Sequence, residues 1–403
     1  MPLDFTLSDE QEEIRQLAHE FAVNEIRPVA PQFDESEEFP WEVVRKAHRL
    51  GLTPAAFIPE EYGGQGLDFI TDLVVSEELS WGCAGIAVCI NSPGLAIAGI
   101  LAAGSEEQKK HWLPEFCNPD KLVIGGLGLT EPDSGSDALS LKSRAVKEQK
   151  AGEWGYVLNG TKQFCTNGGI ADYHVIYANT DPSKGPAGIA PFLVEKDVPG
   201  FRMGRKEHKL GVRASHTAQV IMEDCWVPLD HRLGGEPGES GSGPGGLAAL
   251  MALEATRPGV GAGALGIARA AYEFALDYAM ERQQFGKPLI KHEAIAFKLA
   301  DMAMKIEAAR LLIWRAGWMA ASGKPFTRGE GSMAKLFASD AAMEITVDAV
   351  QILGGNGYIR EYPVEKWMRD AKIYQIWEGT SEIQRLVISR SISGSRQTIR
   401  LRG

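Results

Sequence analysis

The hydrophobic period of this sequence changes twice along its length, and that restricts the folds open to it. Near the start, Ile14, Leu17, Ala18 and Phe21 recur at helical spacing. Ser8 and Gln11 ahead of them form a capping box, a hydroxyl and an amide three residues apart that satisfy free backbone N–H groups, and Pro28 ends the run. A second helix is predicted from near Pro40 to Gly51, and Ser105-Glu106-Glu107-Gln108 repeats the box before Trp112 and Leu113. Around Leu122 the period becomes that of strands. Trp154 to Leu158, the turn dipeptide Asn159-Gly160, and Thr161 to Cys165 read as a hairpin. Tyr173 to Ala178, Pro191 to Glu195 and Ala218 to Val227 are further β-rich runs. From Leu247 to about Ile352 helical spacing returns, broken at Gly323-Lys324-Pro325. Long helices with short connections favour an antiparallel bundle. The Gly/Ser/Pro/Glu tract from Gly234 to Gly246 reads as a linker or loop. The fold class is therefore α+β, mainly α. Its expected parts are an N-terminal helical domain over 1–122, a central small β domain over 123–233 and a C-terminal helical domain over 234–403.

Bulk properties exclude several functions. A chain of 403 residues fits about two or three domains. A net charge of -11 offers no basic face for a nucleic-acid backbone, although a local pocket can still be cationic. The five cysteines lack a CxxC pair or a neighbouring His, so reduced thiols and no metal site are expected. Met1 to Glu13 is acidic and polar, unlike a signal or transit peptide, and no apolar run approaches the roughly 20 residues that span a bilayer. A cytoplasmic protein is expected.

Several segments could carry chemistry. In Tyr374 to Arg385, Ser381 and Gln384 make a third capping box, so a helix is predicted to begin just after Glu378. A carboxylate beside Ile376 and Trp377 can be desolvated into a base, or it can be a solvated carboxylate favoured by the helix dipole. Gly128 to Asp137 is dense in hydroxyls, carboxylates and glycines; it can present donors to a phosphate or a heterocycle, or be a plain polar loop. Phe164-Cys165-Thr166 places an aromatic face near a hydroxyl at a strand end, which is also an ordinary strand end. Gly261-Ala262-Gly263-Ala264-Leu265-Gly266 matches a dinucleotide fingerprint, but no strand precedes it. It is read instead as a small-residue helix, with Gly259, Gly263 and Gly266 on one packing face. Arg282 to Pro288 and Gln351 to Tyr358 could each bind a pyrophosphate or simply stop a helix.

Taken in order, these segments resemble the acyl-CoA dehydrogenase family over nearly the whole chain. The most specific are Leu129-Thr130-Glu131-Pro132 with Gly135-Ser136-Asp137, and Tyr374 to Arg385. Lys209 to Arg213, Arg282 to Lys287, Gly354 to Tyr358 and Lys366 to Lys372 support them. The resemblance implies a C-terminal four-helix bundle, a homotetramer, and FAD held between β domain and bundle. It assigns Leu127, Thr130, Ser136, Phe164 and Thr166 to the flavin, with Phe164 standing where many relatives carry Trp. It gives Arg282, Gln284, Phe285, Gln351 and Gly355 to the pyrophosphate and adenosine end across a subunit interface, and Thr380 and Glu382 to the rest of the flavin site. Ser136, Glu254, Arg257 and Gly379 match acyl-CoA positions. Glu378 matches the base; some branches carry theirs just before the position of Arg257, where this chain has Thr256.

The implied reaction is α,β-dehydrogenation of a short-chain, medium-chain or branched acyl-CoA to the trans-2-enoyl-CoA. Glu378 would take the α proton, and the β hydride would pass to flavin. Electrons would then go to an electron-transfer flavoprotein. An acyl-CoA oxidase, an enoyl-CoA reductase and a non-catalytic flavin or acyl-CoA binding protein are the rival readings. A dicarboxylic substrate would need a cation near its far end; Gly85 to Leu101 has none, which leaves Arg213 or another loop residue to supply one.

Overall fold

The computed structural model describes residues 5–235 and 246–400. Most of the tract expected as a linker, 236–245, lies outside the described residues. Helices come first: α1 (Asp9–Phe21), α2 (Ala30–Ser36), α3 (Trp41–Arg49), α4 (Phe69–Gly82), α5 (Ala84–Ile90), α6 (Gly94–Ala103) and α7 (Glu106–Phe116). Both N-terminal capping boxes close as read from the sequence. Ser8 Oγ accepts from the Gln11 N–H at 3.2 Å, and Ser105 Oγ from that of Gln108 at 3.2 Å. The Gln108 amide also donates to Asp230 O at 2.5 Å and Arg232 O at 2.9 Å, tying α7 to the end of the β region. α4 is central, with Leu73 through Gly82 all buried. Among the described residues no single helix is long and apolar enough to cross a membrane.

The sheet contains β1 (Gly125–Gly128), β2 (Arg144–Lys150), β3 (Glu153–Thr166), β4 (Tyr173–Asn179), β5 (Ile189–Glu195), β6 (Phe201–Lys206) and β7 (Thr217–Pro228). Its order is β1-β4-β2-β3-β7-β6, with β5 also pairing β4. Asn159-Gly160 is not the predicted turn. It lies inside β3 at a bulge, where the Asn159 side chain accepts from Asp224 N at 2.9 Å and donates to Asp224 Oδ1 at 3.1 Å. The reversal falls at Ala151-Gly152, both at positive φ (53° and 92°), joining β2 to β3. An Asn-Gly pair serves a bulge as well as a turn, because both need a residue at positive φ. Gly160 has φ +145°, and a Cβ there would lie 2.3 Å from Ser143 Oγ. Gly160→Ala should therefore cost about 1–3 kcal/mol; an unchanged thermal midpoint would refute this reading of the bulge.

The C-terminal part contains α8 (Gly246–Glu281), a hairpin of β8 (Gln283–Gln284) and β9 (Lys287–Pro288), α9 (Glu293–Ala321), α10 (Glu330–Leu353), α11 (Val364–Tyr374) and α12 (Ser381–Arg400). The Gly261 to Gly266 motif lies inside α8, away from any strand. Small residues there admit close neighbours. A Cβ on Gly266 would meet Glu77 O at 2.2 Å, and one on Gly263 would meet the Tyr374 hydroxyl at 2.8 Å. Gly259 does not share this packing face, since nothing lies within 4 Å of its Cβ position.

One junction fixes the β region against the bundle. The Val212 N–H donates to Asp370 Oδ1 at 2.6 Å, and Asp370 is ion-paired with Lys366 in the core. Lys366 Nζ also lies 3.2 Å from Cys83 Sγ. The Lys209 to Arg213 loop is thus clamped to α11, the helix that leads to Glu378.

Candidate active site

Glu378 stands in the tight connection between α11 and α12. Trp377 N donates to Ile373 O at 2.9 Å, after which Glu378 (φ +50°) and Gly379 (φ +90°) reverse the chain. A non-glycine residue in this region costs on the order of 1–3 kcal/mol and persists only where surrounding structure enforces it. Gly379 suits its place, because a Cβ there would lie 2.7 Å from Gln384 Nε2. The third capping box does not form as expected. Thr380 caps α12 by accepting from Ile383 N at 3.3 Å, while Ser381 Oγ donates to Asp340 Oδ1 at 2.9 Å. The Gln384 amide turns back to Glu378 O at 3.1 Å and Gly379 O at 2.8 Å, so it braces the turn.

α8 and α10 close over this turn. Thr256 Oγ1 donates to Glu378 Oε2 at 3.1 Å. Arg257 is buried, pairs with Glu254, and donates to Ser332 Oγ at 2.7 Å. Glu254 also accepts from Ser332 N at 3.2 Å. Fully buried Lys335 donates to Gly379 O at 2.8 Å. Desolvation raises the Glu378 pKa above the ordinary carboxylate value; the Thr256 hydroxyl and the cations Lys335 and Arg257 oppose it. Ile376, expected to help shield Glu378, is instead 49% exposed. Thr256, Ser332, Lys335 and Gln384 were not singled out from the sequence as site residues. A lysine within the Ala-rich face of α10 was the available signal.

Two other segments meet along β3. The Gln163 N–H donates to Thr130 O at 2.8 Å, and Lys162 Nζ reaches Leu129 O at 3.2 Å. Glu131 is not a ligand-facing carboxylate. It is buried and accepts from Lys162 Nζ at 2.7 Å, Lys142 N at 2.6 Å and Ser143 N at 3.0 Å, which fixes the loop. Thr130 therefore lies beside the stretch of β3 that leads to Phe164 and Thr166, while Leu127 pairs with Val175 of β4. A bulge between Lys162 and Cys165 sets Phe164 at φ +55° and leaves its ring 63% exposed. Ser136 is exposed on the same loop.

At the far end of α8, Phe285 (φ +51°) and Gly286 (φ +77°) form the tip of the β8–β9 hairpin, and the Phe285 ring is 96% exposed. Asn356 donates to the Tyr278 hydroxyl at 2.9 Å, bringing Gln351 and the open glycines 354 and 355 to the end of α8 that carries Arg282 and Gln284. The Arg282 side chain has no carboxylate partner among the described residues. No hydrogen bond among them links this cluster to Phe164 or Thr166. Thr380 and Glu382 belong to the Glu378 turn.

Family models match along the chain: acyl-CoA dehydrogenase N-terminal domain at 8–120, middle domain at 126–225 and C-terminal domain at 243–393. This chain belongs to the acyl-CoA dehydrogenase family. It is 44% identical over 391 residues to a short-chain specific acyl-CoA dehydrogenase of Clostridium acetobutylicum, spanning 97% of this chain and 100% of that one. Butyryl-CoA dehydrogenase of Megasphaera elsdenii superposes with a TM-score of 0.90 at 42% identity, covering 97% and 100% of the two chains. A chain from the structural study of the electron transferring flavoprotein of Acidaminococcus fermentans does so with 0.90 at 42% identity, covering 97% and 99%. As an acyl-CoA dehydrogenase this oxidoreductase is an FAD protein. Its residues fit that group. The exposed Phe164 ring beside Thr130 and Thr166 suits a flat heterocycle, and Arg282, without a carboxylate partner among the described residues, suits a pyrophosphate beside the open glycines.

Proposed function

We propose that this acyl-CoA dehydrogenase acts on short-chain acyl-CoA thioesters and that Glu378 is the base that removes the α proton. The Glu378 turn carries the reading: a desolvated carboxyl, held by Thr256, on a backbone conformation that its surroundings enforce. A carboxylate with a raised pKa is a better proton acceptor near neutral pH. Glu254, the alternative base, is occupied by Arg257 and Ser332. Glu254, Arg257 and Gly379 surround the same turn and would take the thioester, with Ser136 added from the flavin loop. Leu127, Thr130, Ser136, Phe164, Thr166, Thr380 and Glu382 would hold FAD, which when bound would supply the acceptor for the β hydride. As the α C–H bond breaks, its proton goes to the Glu378 carboxylate, and the substrate becomes the trans-2-enoyl thioester. The short-chain relatives support the substrate class. Arg213, the cation considered for a dicarboxylic substrate, is committed to Glu37 at 2.8 Å.

The same reading includes an electron-transfer flavoprotein as acceptor, in keeping with the Acidaminococcus neighbour. It also includes a homotetramer. On α9, Phe297, Met304, Leu311 and Trp318 are 64%, 62%, 44% and 51% exposed at seven-residue spacing, an apolar seam suited to a second copy. Exposed Phe285, Arg282, Gln284, Gln351 and Gly355 would serve a cofactor held by that copy. Five free cysteines fit a reducing compartment, the cytoplasm.

Anaerobic titration of the flavin-loaded enzyme with acyl-CoAs of increasing length tests the substrate class. Bleaching should be fastest with a four-carbon chain; a maximum at long chains would overturn the assignment. Rapid peroxide release in air would favour an oxidase instead. Because the Glu378 pKa is raised, the rate should fall as pH drops through a limb lying above 4.5.

A further inference from the structure

We propose that Lys335 is a positioning residue for the base, and that its charge holds Glu378 in the ionised form that accepts the proton. This rests on Glu378 being the base. Lys335 is fully buried on α10, and its ammonium donates to Gly379 O, one residue after Glu378, at 2.8 Å. Most other charges around the turn are paired or exposed. From α8, Arg257 is paired with Glu254. From α10 and α12, Asp340 is paired with Arg385, while also accepting from Gln375 at 2.8 Å and Ser381 at 2.9 Å. Glu382, at the start of α12, is exposed. Neither the Glu378 carboxylate nor the Lys335 ammonium has an oppositely charged side chain within 4 Å among the described residues.

An unpaired ammonium in the core is costly unless a nearby anion offsets it. Among the carboxylates, Glu378 acts on Lys335 most strongly, ahead of Asp340 and Glu382. Desolvation pulls the Lys335 pKa down to about 8, which leaves the side chain cationic at neutral pH, and Glu378 opposes that fall. The lysine thus does two things. Its N–H anchors the carbonyl that follows the base, and its charge counters the desolvation that would protonate Glu378 too readily. After the α proton has moved, Glu378 is neutral and Lys335 is left without its counter-charge. That imbalance favours release of the proton from Glu378 to solvent and resets the site.

Three substitutions separate the two contributions: Lys335→Gln retains a donor for Gly379 O without the charge, Lys335→Met removes both, and Lys335→Arg retains the charge. Anaerobic flavin reduction is measured across pH on flavin-loaded enzyme, beside wild type and Glu378→Gln. Lys335→Gln and Lys335→Met should displace the acid limb upward by about one pH unit or more, slowing reduction about tenfold below it. Lys335→Arg should keep the wild-type limb. If Lys335→Gln, folded and loaded, titrates as wild type does, the charge has no such role and the inference falls. Should Lys335→Met fail to fold, Lys335→Gln carries the test alone. If Glu378→Gln itself reduces flavin at the wild-type rate, it is the base assignment that fails.

Discussion

Glu378→Gln should slow flavin reduction by acyl-CoA roughly 100- to 10,000-fold, the range general bases contribute, while leaving the flavin bound. The substitution is nearly isosteric. A Gln side-chain oxygen can still accept from Thr256 Oγ1, and neither the positive φ nor the bonds from Gln384 to Glu378 O and Gly379 O depend on the charge. Only the proton acceptor is lost, because an amide is a negligible base near neutral pH. Thioester affinity should change little, since Glu254, Arg257 and Gly379 are untouched. Stopped-flow reduction at saturating substrate, with flavin content measured beside it, checks both halves. A large loss of bound flavin would instead make Glu378 a structural residue.

Asp370→Ala should cost about 3–5 kcal/mol of stability, the penalty for stranding one member of a buried ion pair. Asp370 is fully buried, accepts the Val212 N–H at 2.6 Å and pairs with Lys366. Although burial disfavours the charged ammonium, Asp370 holds the Lys366 pKa above its ordinary value. Alanine would leave both the Lys366 ammonium and the Val212 N–H without this acceptor. The Lys209 to Arg213 loop would loosen from α11, and flavin reduction should fall less than in Glu378→Gln. Asp370→Asn, which keeps an acceptor for Val212, should lie between wild type and alanine in denaturation midpoint. Equal midpoints for all three would mean that the junction carries no stability.

Much of the fold was legible because local signals and tertiary packing agreed. The boxes at Ser8/Gln11 and Ser105/Gln108 close as written, and the strand runs at Tyr173, Pro191 and Ala218 all pair in one sheet. The Gly261 to Gly266 stretch is no dinucleotide fingerprint, because such a loop needs a preceding strand and α8 runs through the motif. Asn159-Gly160 misled because a bulge and a turn make the same local demand; Ser143 and Asp224, distant in sequence, decide between them. β2 was missed because most of Arg144–Lys150 is exposed, so apolar alternation is absent. The Ser381/Gln384 box failed because Thr380 takes the cap position, which puts Ser381 in the first turn with its hydroxyl on Asp340. Glu378 was legible through its segment. The shell formed by Thr256, Ser332 and Lys335 exists only once α8 and α10 pack over the turn.

Hydrogen exchange at the α carbon isolates the proton step from the transfer of hydride. Acetyl-CoA has α hydrogens and no β carbon, so it can be deprotonated but cannot be dehydrogenated. Incubated with flavin-loaded enzyme in deuterium oxide, it should gain α deuterium, read by mass spectrometry, with wild type and not with Glu378→Gln. Equal exchange with both proteins would contradict the assignment of Glu378 as the base.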